Sequence, residues 1–382
     1  MSGGGGLARL HAVRLLDRYL LRELLTPLAI CLGGFLVFWV SFDLFSELNN
    51  LQDRHLRAGE IMFYELYRTP QFLAIVLPVA LLLALLYTLT QHAKHHELTA
   101  IRAAGISLLR LSAPYLAVGV VCSLGLFAVD EFLAPPGADA AEAILASHQT
   151  AKHHAADPFQ KIYFHNSFAN RIWALDYNMA TREMRDVRVD WQRADGSRLI
   201  FSADTGWREG NVWVFSNVQS HVFMPTNIMP TERVLTNIMA MPDFDETPAQ
   251  IKSEIVINLE INKAHVERTD ISAASLFRFI QLNPHLAAKD RGWVYTQFHS
   301  RLATPWTCLV VVLIAIPFGA MTGRRNVFFG VAGSIFIFFI YYVLLQVGLA
   351  LGAAGDLPPL LAAWLPNLFF GLAGLVMTLN VR

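Results

Sequence analysis

Charge is scarce in this chain, and the residue groupings that carry out chemistry are missing from it. Charged side chains make up 16% of the 382 residues and hydrophobic ones 54%, where soluble domains average about 25% charged. That shortage excludes an ordinary soluble enzyme and points to a protein dissolved in a bilayer. Lys and Arg number 30, as do Asp and Glu, so the basic footprint needed to hold nucleic acid is absent. Cys31, Cys122 and Cys308 each lie inside an apolar run without paired spacing, which excludes a disulfide framework and a zinc site. They are most simply apolar fillers. There is no G-x-x-x-x-G-K-[ST] loop, and the nearest string, at 319–325, lacks the Lys-Ser/Thr pair. The chain itself should therefore not hydrolyse ATP. Neither H-E-x-x-H nor G-x-S-x-G occurs. His92 and His96 stand four apart beside Glu97; a metal site is one reading of them and a solvated helix the simpler one. No catalytic residue, metal or cofactor is expected of this chain.

Long apolar runs, by contrast, are plentiful. They occur at 24–44, 72–90, 111–129, 302–321, 327–351 and 360–379, each about 20 residues, enough to cross about 30 Å of hydrocarbon as a helix. The first is too long for a signal-peptide core and no small-residue cleavage site follows, so it reads as a retained anchor. Arg9, Arg14, Arg18 and Arg22 precede it; Lys94, Arg102, Arg110, Arg324, Arg325 and Arg382 fall on the same side. This bias predicts both termini in the cytoplasm. Asp43 and Arg110 lie near span ends and can snorkel. Pro78, Pro114 and Pro317 can kink their helices, but no buried carboxylate accompanies them, so the motor is expected elsewhere.

The interval at 134–300 is then an inserted outer domain. It opens with a Pro- and Ala-rich linker or short helix at 134–157 and continues as short strands at 162–164, 171–175, 187–191, 199–203, 212–215 and 255–261. Val187, Val189 and Trp191 alternate with Arg188 and Asp190, the period-2 pattern of a half-buried strand. Asp195-Gly196 and Glu209-Gly210-Asn211 supply turns. Strands this close, without helices between them, predict an antiparallel sandwich, jelly roll or open barrel. It is either a plain structural ectodomain or a holder of an apolar ligand between its sheets. A return helix is expected over 270–282, capped by Asp270 or Ser272.

One polar stretch, QHAKHHELTAIRAAGIS at 91–107, interrupts the apolar runs. Written as one helix from Lys94 to Leu109, it aligns Leu98, Ile101, Gly105 and Leu108 on a stripe flanked by Glu97 and Arg102. Such a segment is either a membrane-surface helix or a helix that presses an apolar ridge into a partner's groove.

The string HELTAIRAAGIS at 96–107 resembles the cytosolic coupling segment of the lipopolysaccharide-export permeases of the LptF/LptG type (the YjgP/YjgQ family). LLDRYLLRELL at 15–25, DEFLAPPGADAAE at 130–142, GWREGNVWVFSNV at 206–218, RLATPWTCLVVVLIAIPFGA at 301–320, GRR at 323–325 and AAWLPNLFF at 362–370 are similar to other parts of the family in the same order. LLDRY and LAPPG lean towards the LptG-like member. The resemblance implies an α-helical inner-membrane protein of six transmembrane helices with an inserted all-β, jelly-roll-like periplasmic domain. Its parts would be 1–133, 134–300 and 301–382, with a coupling helix at about 91–107. It implies a non-catalytic permease subunit that pairs with a paralogous permease and a cytosolic ABC ATPase dimer, the partner using ATP and Mg. Lipopolysaccharide would be taken from among the membrane lipids and passed to a periplasmic jelly-roll bridge protein.

Carried over by residue, the resemblance assigns Glu97, Leu98, Ile101, Arg102 and Gly105 to the ATPase groove, and the first and fifth spans to a lateral gate. Some members have a basic residue where this chain has Asp43, so Arg54, Arg57 or Arg68 either meet lipid phosphates instead or are solvated rim charges. Phe164, Trp173, Trp191, Phe201, Trp213 and Phe215 would line a lipid groove or simply form core. From other classes, the alternatives are a membrane-anchored periplasmic scaffold and a permease for another lipid or lipoprotein.

Overall fold

The computed structural model describes residues 4–147, 159–166, 169–178, 181, 183–225, 230–263, 271–284, 286, 288–320 and 327–380. In chain order the elements are α1 (Gly4–Asp53), α2 (Ala58–Lys94), α3 (Glu97–Ala103), α4 (Leu108–Phe132), α5 (Ala134–Ser147), β1 (Phe159–Asn166), β2 (Arg171–Asn178), β3 (Met184–Gln192), β4 (Arg198–Glu209), β5 (Val212–Phe223), β6 (Glu232–Met241), α6 (Pro248–Lys263), α7 (Ala273–Leu282), α8 (Ala288–Ala303), a 3-10 turn (Thr304–Trp306), α9 (Thr307–Ala320), α10 (Val327–Ala354) and α11 (Pro359–Asn380). They form two compact units: Met1–His148 with Gly292–Arg382, and Gln149–Arg291.

Six stretches of the first unit are long and apolar enough to cross a membrane: Leu15–Asp53, Ala58–Lys94, Leu108–Phe132, Arg291–Gly319, Ala332–Ala354 and Pro359–Asn380. Each of the six expected runs falls on one of them. Inside this unit α2 and α9 are the central pair, with 67% of the most apolar stretch buried in the second and fourth candidate spans. Leu81, Leu85, Val311, Val312 and Ala315 sit in their shared core. Small residues allow the close approach that membrane helices rely on. A Cβ at Gly374 would stand 2.6 Å from Leu313 O, so α11 lies directly against the α9 backbone. A polar chain pins the turn between α8 and α9. Thr307 and Tyr341 hydroxyls are 2.8 Å apart, Tyr341 donates to Asn367 Oδ1 at 2.6 Å, and Asn367 Nδ2 donates to Ala303 O at 2.7 Å. The first and fifth spans differ from this centre, with only 6% and 17% of the corresponding stretches buried.

The domain expected at 134–300 begins later as a compact β unit. Helix α5 packs with the membrane helices, where Ala141 joins Leu51 and Tyr64 in one cluster. In the second unit six strands form one antiparallel sheet in the order β1-β2-β3-β4-β5-β6. One cross-strand row runs Phe164, Trp173, Val189, Phe201, Ser220 and Val234. Asp186, at φ 47°, lies where the β2–β3 register slips, as expected of a bulge. The Gly210-Asn211 turn joins β4 to β5, with Gly210 at φ 59°. Gly206 leaves room for the Phe215 ring on the facing strand, since a Cβ there would come within 2.9 Å of it.

Two elements differ from the sequence reading. The strand expected at 255–261 is part of α6, and β6 was not expected at all. Alternating Ile255, Ile257 and Ile261 suggest a strand, yet Thr247 Oγ1 accepts from Gln250 N at 3.1 Å with Pro248 opening the helix, a strong start signal. Ile251 and Ile257 are then buried from the helix. The return helix forms over Ala273–Leu282, with Ser272 accepting from Ser275 N at 3.1 Å. Asp270, the other expected cap, lies outside the described residues, as do Arg324 and Arg325.

Candidate functional site

The single helix expected from Lys94 to Leu109 is broken twice. Helix α2 ends at Lys94, and His96 at φ 59° takes the left-handed conformation before Glu97 opens α3. After seven helical residues and the cap at Ala104, Gly105 at φ 83° turns the chain out of α3. Its N–H donates to Arg102 O at 2.9 Å while Ile106 N–H donates to Ile101 O at 3.4 Å, the Schellman pattern that satisfies the last carbonyls of a helix. Ser107 then caps α4 by accepting from Arg110 N at 3.3 Å. Gly105 is thus a helix stop instead of a member of an apolar stripe, and Leu108 belongs to α4.

A helix of seven residues has little stability of its own, so tertiary contacts fix α3. Leu98 is buried in the core of the membrane unit and Ile101 packs against the same core. Thr99, Ala100, Arg102, Ala103 and Gly105 are exposed. The face left open is therefore small and polar, and the two largest apolar side chains are already occupied within the chain.

Glu97 is held from two other helices. His92 Nδ1 of α2 lies 2.6 Å from Glu97 Oε2, and Tyr19 of α1 donates its hydroxyl to the same oxygen at 3.0 Å. The Tyr19 and His92 rings sit 5.7 Å apart. Partial burial pushes the Glu97 carboxyl up, but the hydrogen bonds from His92 and Tyr19 and the charges of His92 and His95 outweigh it and hold the pKa below the ordinary value. An ionised carboxylate only accepts, so His92 donates from Nδ1. Around this point α1 is tied down twice more. Asp17 pairs with Arg110 at 2.7 Å. Thr88, its hydroxyl shared with Ala84 O, reaches Glu23 O at 3.1 Å. Pro27 has no N–H to offer Glu23 O four residues back, and Thr88 fills that vacancy. Leu20 and Leu24 are fully buried here. A groove of about 810 Å³ lies along α1 beside the tied segment, lined by Arg18, Leu21, Arg22, Leu25, Ala29 and Ile30 among others.

The three arginines assigned to phosphate are not equivalent. Arg68 pairs with Asp43 at 3.0 Å and donates to Tyr64 Oη at 2.7 Å. Arg54 donates to Leu145 O at 3.0 Å. Arg57 is exposed, and its backbone N–H donates to Glu60 at 2.7 Å.

In the sheet, Trp173, Phe201, Trp213 and Phe215 are fully buried, as is Phe244 from the loop before α6. Ring-centroid distances to Phe244 are 5.1 Å for Trp173, 5.6 Å for Trp191, 6.0 Å for Phe201 and 6.1 Å for Phe215. The described aromatics thus form a filled core closed by Phe244 and Ile251. The side chain of Phe164 lies outside the described residues. Arg171 and Glu246 lock the cover down. Glu246 Oε1 accepts from Asn166 Nδ2 at 2.8 Å, Arg171 Nε at 2.9 Å and Trp173 Nε1 at 3.1 Å, and Glu246 O accepts from Trp213 Nε1 at 2.7 Å.

From the sequence Tyr19 has no site role, and His92 is offered only as a metal ligand alongside His96, not as a partner of Glu97. Tyr19 is separated from Glu97 by 78 positions, and no local spacing signals such a contact. His92 stands five before Glu97, off any helical face, because the chain bends between them. Among the described residues no three His, Cys, Asp or Glu side chains come together as metal ligands.

Six apolar helices, an antiparallel sheet inserted after the third, and a short polar helix gripped by the ends of the first two define a multi-pass α-helical membrane protein with an inserted β domain. The family model for the lipopolysaccharide export system permease LptF/LptG matches residues 18–380. The chain belongs to that family, and is thus a permease component of lipopolysaccharide export in the inner membrane. Comparison with curated proteins returned no match.

Proposed function

We propose that this chain is one of two paired permease subunits of an ATP-driven lipopolysaccharide extractor. A cytosolic ABC ATPase, using ATP and Mg, docks on the exposed face of α3 beside Glu97 and Arg102. A paralogous permease and the entering lipid meet the little-buried spans of α1 and α10. Lipid then passes to the β unit and on to a periplasmic bridge built from similar sheets. The termini and the α3 side are cytosolic in this reading and the sheet periplasmic; LLDRY and LAPPG support the LptG-like member.

Physical scale supports a motor. Drawing an acyl chain into water costs about 0.8 kcal/mol per CH2, so several chains demand both an energy source and apolar cover. Support for the bridge comes from β6, an edge strand on which Leu235 is 69% and Ile238 63% exposed, the kind of edge another strand adds to. If acyl chains enter on the aromatic face of the sheet, Phe244 and α6 must give way. Arg57 is the arginine most free to meet a lipid phosphate, and Arg54 and Arg68 would first exchange their internal partners.

The observation that carries the proposal is Glu97, fixed from inside by two spans on a helix whose remaining surface is open. The test is co-purification of wild type and Glu97→Ala with cytosolic ATPases, then ATP hydrolysis in lipid. Capture by wild type and its loss, or loss of activity, in Glu97→Ala supports coupling. If neither version captures an ATPase, α3 is only a surface helix.

A further inference from the structure

We propose that Tyr19 and His92 are positioning residues that tether Glu97 to α1, so that movement of α3 is delivered to the first span. This rests on the coupling role given to Glu97 above. The geometry is asymmetric: both hydrogen bonds end on Oε2, and Oε1 has none among the described residues. A carboxylate offers about four acceptor positions. One oxygen therefore faces an internal grip while the other keeps its capacity for a partner's cation. Glu97 is 35% exposed and His92 3%, which puts the carboxylate at the boundary between the chain's interior and its surroundings.

The segment is built to need such a grip. Its two ends are left-handed turns at His96 and Gly105, and about two turns of helix between two bends do not hold a direction by themselves. Leu98 and Ile101 set its depth in the core. Neither apolar contact is directional, whereas two hydrogen bonds to one oxygen are.

The receiving element is equally specific. Tyr19 lies on the short side of Pro27, where Asp17 holds α4 and Glu23 O holds α2. Beyond Pro27 the span is scarcely buried. A pull at residues 17–24 therefore acts on a helix whose apolar stretch packs little within this chain, before the Asp43–Arg68 pair and the Leu51 cluster hold its far end. The Asp17–Arg110 pair is 31% and 41% exposed, and exposed pairs contribute little. The Tyr19–His92–Glu97 cluster is the tether that reaches α3, and its His92 is buried.

The test uses the complex with its ATPase and paralogous permease in lipid vesicles, reading lipid released per ATP hydrolysed. Tyr19→Phe removes only a hydroxyl, and His92→Ala removes the second donor. Both are expected to keep ATPase capture while release per ATP falls about tenfold, the factor matching about 1.4 kcal/mol of lost hydrogen bonding. His92→Asn returns an N–H donor close to the position of Nδ1 and should recover much of the ratio, which a role in packing alone would not allow. An unchanged ratio in both Tyr19→Phe and His92→Ala, with capture intact, overturns the tether. Absence of capture by wild type is a different result: it removes the coupling role of Glu97 itself, and the tether with it.

Discussion

Replacing Glu246 with alanine removes the acceptor on which one end of the β sheet converges. Three donors, Asn166, Arg171 and Trp173, share its Oε1, and Glu246 and Arg171 are 0% and 3% exposed. The truncation leaves a buried guanidinium short of its charge partner and a buried indole N–H without an acceptor. Breaking a buried pair from one side costs about 3–5 kcal/mol. Asp245 also contacts Arg171 but is 65% exposed, and such pairs contribute under about 1 kcal/mol. For a unit of this size, 3–5 kcal/mol corresponds to a Tm lower by about 10 °C. The assay is thermal unfolding of the whole protein in detergent, followed by tryptophan fluorescence, because Trp173 and Trp213 both donate to Glu246. Asp245→Ala is the control and should shift the transition by at most about 3 °C. Equal shifts for the two variants would refute the reasoning, since burial would then not distinguish them.

Two further outcomes follow from the same geometry. Gly374→Leu forces side-chain atoms onto the α9 backbone at Leu313 O; overpacking of this kind costs about 1–3 kcal/mol or more, read as a lower melting temperature in detergent that Gly374→Ala shares to a lesser degree. Glu97 has a lowered pKa, so its contribution to stability is fully present above the ordinary carboxylate range and lost as pH falls through the lowered value. Wild type should then melt above Glu97→Gln at pH 7, and the difference should vanish in strong acid; a difference that persists there contradicts an ionised tether.

The spans were legible in the sequence because about 20 successive apolar residues have few other homes. Most strands were legible too: inward Val187 and Val189 alternate with Arg188 and Asp190, and the β-branched and aromatic runs LIF at 199–201 and VWVF at 212–215 favour strand. Strand β6 escaped notice because its exposed Leu235 and Ile238 blur the alternation. At α6 the β-branched run outweighed the cap at Thr247-Pro248, although the cap carries the truer information. In the coupling segment, periodicity placed Gly105 among apolar residues when its lack of a side chain serves a left-handed stop. The grip on Glu97 was not legible at all: it joins residues from three helices, and only the packing of Leu20, Leu24 and Leu98 brings them together.

Each strand of the β unit pairs with the strand just before or after it in sequence. Contacts of such short separation close small loops, and topologies rich in them fold fast. As the chain is synthesised, each hairpin finds its partner as soon as the next strand emerges. The sheet can therefore assemble while α8 to α11 are still unmade. Phe244 and Glu246 follow β6 in the chain, so the aromatic core they close can be completed only after all six strands have been made.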